Sequence, residues 1–222
     1  MYNGFQEDLR KGINSMYIPA HFREDDQSIL QAFIRDHSFG ILVTQHDGAP
    51  FASHLPFLYD AVRGPNGTLI AHMARANPQW QSFDGAQEAL VIFSGPHSYI
   101  TPSWYEVELS VPTWNYVAVH AYGIPQLFKD NSELYNQLKT LIQVNEAQFE
   151  HPWSYQLPEE YLEKMMRGIV GFTIPISRLE GKYKMSQNRN ANEQARLIDA
   201  LQESNPEVAN VMRDVKRRKS ES

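Results

Sequence analysis

Apolar positions in this chain recur first at helical spacing, then at strand spacing, then at helical spacing again. After Asp25 or Asp26, residues Ile29, Leu30, Phe33 and Ile34 share one face, which predicts a helix ending near His37. The period then shortens. Residues 39–44 form an apolar run, His46-Asp47-Gly48 supplies a hairpin turn, and 51–59 run apolar around His54 and Pro56. Gly64-Pro-Asn-Gly67 turns the chain into a third strand over 68–73. A short helix is expected over 77–83, and a fourth strand over 88–94 ends at Gly95-Pro96. An aromatic loop then leads to a fifth strand over 113–122, which Gly123 closes and 124–128 continue.

Helical spacing returns at Asn131. Leu134, Leu138, Leu141 and Ile142 define an amphipathic helix over 131–149, and Pro158 precedes a shorter one through Met166. A last strand over 168–174 brings the chain back to the sheet. Two helices follow near 190–203 and 206–218, the second with Val208, Val211, Met212 and Val215 at i, i+3, i+4 and i+7. Five or more short strands with tight turns, followed by helices, predict an antiparallel barrel or sandwich with a helical extension. Residues 1–15 are polar, with Gly4 and Gly12, and read as a leader before Met16-Tyr-Ile-Pro.

Composition narrows the function classes. With 42% hydrophobic and 21% charged residues the chain buries a core, and its net charge of -6 argues against nonspecific attraction to nucleic acid or anionic membrane. The absence of cysteine excludes disulfides, thiolate metal sites and a cysteine nucleophile. No apolar stretch approaches the ~18 residues of a membrane span, and the first residues lack an apolar signal core. A cytoplasmic protein without membrane association is expected. The 11 Tyr, 11 Phe and 4 Trp suit a planar ligand as well as an ordinary core.

Three stretches carry candidate chemistry. Ala52-Ser53-His54-Leu55-Pro56 lies mid-strand. In His72-Met-Ala-Arg-Ala-Asn-Pro-Gln-Trp80 a strand leads through Arg75 to Asn77-Pro78, a helix start. That order fits an anion site on a helix N-terminus, and equally an ordinary junction with a surface arginine. Gly181-Lys-Tyr-Lys-Met-Ser-Gln-Asn-Arg189 has the cations and amides to grip a phosphate and a ring edge, yet also reads as a solvated loop. His54, His72 and His120 fall on expected strands, but no HExxH or close carboxylate accompanies them, so no metal site is assigned. P-loop, GxGxxG and GxSxG motifs are missing. The basic tail, Arg213 and 216–219, complements a helix C-terminus and is a weak candidate for DNA contact.

Met16-Tyr-Ile-Pro, Ser53-His-Leu-Pro56, His72 to Trp80, Gly95-Pro-His-Ser-Tyr-Ile-Thr-Pro-Ser-Trp-Tyr105, Pro112-Thr-Trp-Asn-Tyr116 and Glu180-Gly-Lys-Tyr-Lys-Met-Ser-Gln-Asn188 stand in the order of the signatures of the PaiB-like family. From about Met16 to about Leu201 the chain resembles that family, part of the FMN-binding split-barrel superfamily and related to pyridoxamine-phosphate oxidases. The resemblance places residues 1–15 outside the family, as an extension or a start assigned upstream of Met16. It implies an α+β, mainly β fold: a six-stranded antiparallel split β-barrel over 16–189 with a helical insertion near 131–166, and C-terminal helices over 190–222. It further implies a homodimer with FMN at each side of the interface.

By the same resemblance Ser53, His54, His72, Met73, Arg75 and Asn77 contact the flavin and its phosphate, with Arg75 as the phosphate cation. Lys182, Lys184, Ser186, Gln187 and Asn188 line the ligand edge, and Trp114 and Asn115 close the pocket. The strand that is basic in the oxidases reads Ala-Ser-His-Leu-Pro here. The implied function is FMN binding, with an oxidoreductase of unknown small-molecule substrate as its extension. The alternatives are a negative transcriptional regulator or ligand sensor using the same pocket, and a haem- or metal-binding split barrel.

Overall fold

In the computed structural model, residues 15–107, 109–154 and 157–221 are described; of the leader expected over 1–15, all but Ser15 lies outside them. The strands are β1 (Arg23–Glu24), β2 (Phe39–His46), β3 (Ala49–Pro56), β4 (Leu58–Asp60), β5 (Thr68–Ala74), β6 (Ala89–Ile100), β7 (Thr113–Gly123), β8 (Gln126–Leu127) and β9 (Ile169–Lys184). The α-helices are α1 (Gln27–Asp36), α2 (Asn131–Glu146), α3 (Glu159–Arg167), α4 (Ala191–Ser204) and α5 (Pro206–Glu221). The sheet order is β3-β2-β6-β7-β9-β5-β4, with β1 and β8 also pairing with β9.

This corrects the expected six-stranded barrel: the sheet has nine strands, and the two ends of its pairing path are not joined. The difference lies in β1, β4 and β8, which are two or three residues long. Strands that short contain no full period of alternation for a sequence to display. The edge position of β3 suits Pro50 and Pro56, because proline cannot donate to a second neighbour.

Two compact units divide the chain. One comprises 27–94 and 119–179. In it β2 and β3 pair antiparallel from Phe39↔Pro56 to His46↔Ala49, and β5 pairs with β9 from Thr68↔Pro175 to Ala74↔Ile169. Its core holds Leu42, Phe57, Leu69, Ala71, Met73, Val91, Phe93, Phe172 and Ile174. Helix α1 buries Leu30, Phe33 and Ile34, as its spacing predicts. Helix α2 does not follow its apolar pattern: Leu134 and Gln137 are its buried residues, and Ile142 is 41% exposed.

The other described unit comprises 15–26, 95–118 and 180–221. Its core joins Ile100, Tyr105, Val117, Tyr183 and Met185 to Leu197 and Leu201 of α4 and to Val208, Met212 and Val215 of α5. Helix α4 starts with a capping box: Asn190 Oδ1 accepts from the Glu193 amide at 2.9 Å, and Glu193 Oε2 accepts from the Asn190 amide at 3.3 Å. Two strands outrun their expected limits. β6 continues through Gly95-Pro96 to Ile100, and β9 extends to Lys184, so 180–184 is strand rather than loop. Gly181, Lys182 and Tyr183 are all buried there, and a lysine at a buried position hides the strand signal.

Candidate functional site

The unit of 27–94 and 119–179 contains the turn after β5. Alternation along β5 puts Leu69, Ala71 and Met73 in the core and His72 on the opposite, half-buried face. Met73 is therefore packed in the core, 2% exposed. The His72 Nδ1 is buried and has no hydrogen-bond partner among the described residues. Burial pushes the His72 imidazole below its ordinary pKa, which keeps the ring neutral near pH 7.

Beyond the strand, Arg75 is exposed but held. Its Nε donates to the Arg167 carbonyl at 2.9 Å and its Nη2 to the Ile169 carbonyl at 3.0 Å. Its own carbonyl accepts from Trp80 Nε1 at 3.1 Å. Asn77 caps the following turn as its sequence predicts, accepting from the Gln79 amide at 3.0 Å, and its Nδ2 donates to Ser53 Oγ at 2.8 Å. That turn is a 3-10 helix of five residues, Pro78–Ser82. It is too short for a useful macrodipole and its first donor is already capped, so the expected anion site on a helix N-terminus is not formed.

Gln79, which no sequence signal marked, is fully buried and organises this corner. Its Nε2 faces the Leu42 carbonyl, Thr44 Oγ1 and the Phe51 carbonyl, each at 3.1 Å, and its Oε1 has no partner among the described residues. His54 is exposed on β3, its ring 6.4 Å from that of Phe39. Among the described residues no group of three His, Cys, Asp or Glu side chains could hold a metal, so His54, His72 and His120 do not assemble one.

In the other unit a cleft of about 200 Å³ opens between the start of β7 and the end of β9, lined by Phe22, Tyr105, Thr113, Asn115, Lys184 and Arg189 among others. Lys184 Nζ donates to Thr113 Oγ1 at 2.5 Å and to the Trp114 carbonyl. Burial, and then the charge of Lys182, hold the Lys184 ammonium below its ordinary pKa. Ser186, at φ 61°, donates to Asn115 Oδ1 at 3.0 Å, which fixes two of the polar walls. The Arg189 guanidinium lies 4.1 Å over the Tyr105 ring and donates to Ser110 Oγ at 3.0 Å.

The structure thus separates the sequence-assigned residues into groups with different jobs. Asn115, Lys184, Ser186 and Asn188 share this cleft. Lys182 does not line it: its ammonium donates to the Tyr17 carbonyl at 2.9 Å and lies against the Tyr17 and Tyr116 rings. Gln187 folds back on its own strand, accepting from the Met185 amide at 2.7 Å and donating to the Tyr183 carbonyl. Trp114 is 53% exposed, its ring 5.8 Å from Tyr99 and 6.2 Å from His97. Ser53, His54, His72, Arg75 and Asn77 stand in the first unit described. The resemblance gave no role to Thr113 or Arg189, although Arg189 is one of the cations of the 181–189 stretch that the sequence marks as able to grip a phosphate.

Comparison with known proteins agrees with the sequence resemblance. Residues 16–178 match a family model described as "Putative FMN-binding domain". The chain is 38% identical over 205 residues to "Protease synthase and sporulation protein PAI 2" of Bacillus subtilis, covering 90% of this chain and 97% of the relative. It is 32% identical to an uncharacterised protein of Emericella nidulans, again over 90% and 97% of the two chains. Among solved structures, the flavocytochrome Anf3 of Azotobacter vinelandii superposes with a TM-score of 0.59 at 13% identity, over 81% of this chain and 78% of that one. That likeness shows a shared fold. By the extent of the family match and of its Bacillus relative, the chain belongs to the family described as "Putative FMN-binding domain", whose named cofactor is FMN.

Proposed function

We propose that this chain binds FMN and serves as a flavin-dependent oxidoreductase of split-barrel type, working as a homodimer with the flavin at the subunit interface. The observation that carries the reading is the His72 Nδ1, a buried polar atom left without a partner among the described residues. Buried polar groups without partners are costly, at about 1–3 kcal/mol, and a ligand rich in ring donors and acceptors removes that cost. The group therefore fits: His72 offers a neutral imidazole, Ser53 and Asn77 offer a hydroxyl and an amide already fixed to each other, and Arg75 offers a cation for the phosphate. Holding Arg75 by two backbone carbonyls keeps its guanidinium in one orientation and leaves Nη1 to meet an oxyanion.

When bound, FMN supplies hydride and single-electron transfer, and the chain's side chains bind and orient it. The printed names of structural neighbours, a flavocytochrome and an "FAD and Heme binding protein" of Mycobacterium smegmatis, support a flavin on this fold. Titration of the purified protein with FMN, followed by flavin fluorescence, tests the reading. Uptake of FMN by the wild type is expected. Arg75→Ala should weaken it by about 1.5–3 kcal/mol, the range of a charge-assisted hydrogen bond. A protein that shows no flavin absorbance and takes up no added FMN refutes the proposal.

A further inference from the structure

The cleft between β7 and β9 has a charge imbalance that the fold does not explain. Lys182 and Lys184 stand two residues apart on β9, and among the described residues neither has a carboxylate within 4 Å. In the cleft itself Lys184 is joined by Arg189, whose carboxylate partner among the described residues is Glu193 at 4.0 Å. An ammonium has three N–H donors, and Lys184 spends two of them on neutral acceptors, Thr113 Oγ1 and the Trp114 carbonyl. Its third donor has no hydrogen-bond partner among the described residues. The Thr113 oxygen accepts from Lys184, so its own proton is free to go to another acceptor. Half-burying a cation against neutral oxygens is unfavourable unless an anion joins it.

We infer that this cleft, built from Thr113, Lys184 and Arg189 on a frame locked by Asn115 and Ser186, binds a small oxyanion of the phosphate-monoester class carried by a ligand other than FMN. Its size distinguishes it from a site that encloses a whole flavin. A volume of about 200 Å³ is below the roughly 300–1,000 Å³ of pockets that enclose a drug-sized ligand, but it suffices for one anionic group. Calling that ligand the substrate rests on the flavin-enzyme reading; the anion site itself does not.

Calorimetric titration of the full-length protein with inorganic phosphate at low salt, before and after loading with FMN, tests the inference. Phosphate is expected to bind in both states. Lys184→Met should weaken binding about tenfold or more, the loss of one charge-assisted bond. Thr113→Val, which keeps every charge, should cost less. Acetate, a monoanion, should bind more weakly than phosphate. The inference is overturned if phosphate gives no isotherm, if Lys184→Met binds it like the wild type, if acetate binds as tightly, or if FMN loading abolishes phosphate binding. The last result assigns the cleft to the cofactor's own phosphate. A protein that takes no FMN but still binds phosphate removes the flavin reading and leaves the anion site standing.

Discussion

Gln79 anchors one corner through a single side chain. One amide nitrogen serves β2 at Leu42 and Thr44 and β3 at Phe51, so removing it strands several buried acceptors at once. Gln79→Leu should lower unfolding free energy by about 2 kcal/mol, because each abandoned buried acceptor costs about 1–3 kcal/mol and loss of the unpaired Oε1 offsets part of that. Urea denaturation with an unchanged midpoint would show that water replaces the amide at no cost. His72 makes a pH-dependent contribution. Its folded pKa lies below the unfolded value of about 6.5, so between the two the unfolded chain binds more protons and stability falls as the solution is acidified below about pH 6.5. His72→Gln should flatten that part of the stability–pH curve. An identical slope in the variant assigns the acid sensitivity to other groups.

At the scale of elements, close approaches set limits that apolar patterns do not show. A Cβ added at Gly123, the end of β7, would lie 2.3 Å from the Pro175 carbonyl oxygen and 2.7 Å from Ile174 Cγ2. Backbone cannot swing aside as a side chain can, so Gly123→Ala should destabilise by about 1–3 kcal/mol, read as a lowered thermal midpoint. Helix α4 depends on its cap as much as on its apolar face. Asn190→Ala removes the side-chain half of the box, which accepts from the Asn192 and Glu193 amides, and should cost about 1 kcal/mol, measured by the same melt. Helix α2 is the case where periodicity misled. Its leucines share a face, yet Ile142 and Val144 remain exposed. Spacing reports which residues could face a core, and not whether a core stands opposite them.

For the whole molecule, exposed apolar groups bear on assembly. Phe39 is 65% exposed, and Trp114 and Leu109 are also uncovered. Burying such side chains against a second copy would remove apolar surface from water, and two-fold dimers are the commonest closed assembly. The proposed homodimer should therefore sediment as a dimer at micromolar concentration. A monomer would count against it, and Trp114→Ser should shift the equilibrium toward monomer if that ring is at the contact. No helix among the described residues is long and apolar enough to cross a membrane.

What the sequence determined by itself is local or additive. The strand and helix segments, the hairpin at Asp47-Gly48, the Asn77 cap and the apolar face of α5 follow from short-range rules of period and backbone geometry. Family membership follows from six ordered motifs, each weak alone. Tertiary structure alone decided how those residues are employed. Arg75 is tied to carbonyls ninety-odd positions away, Lys182 is buried on tyrosines, Gln187 turns inward, and the nine strands follow an order that local pattern does not encode. His72–Trp80 reads in sequence as a cation led to a helix start, and in space as a five-residue turn with its first donor already capped. The physical reason is common to all of these: a side chain's role depends on which polar partners and charges the folded chain sets against it, and those come from distant parts of the sequence.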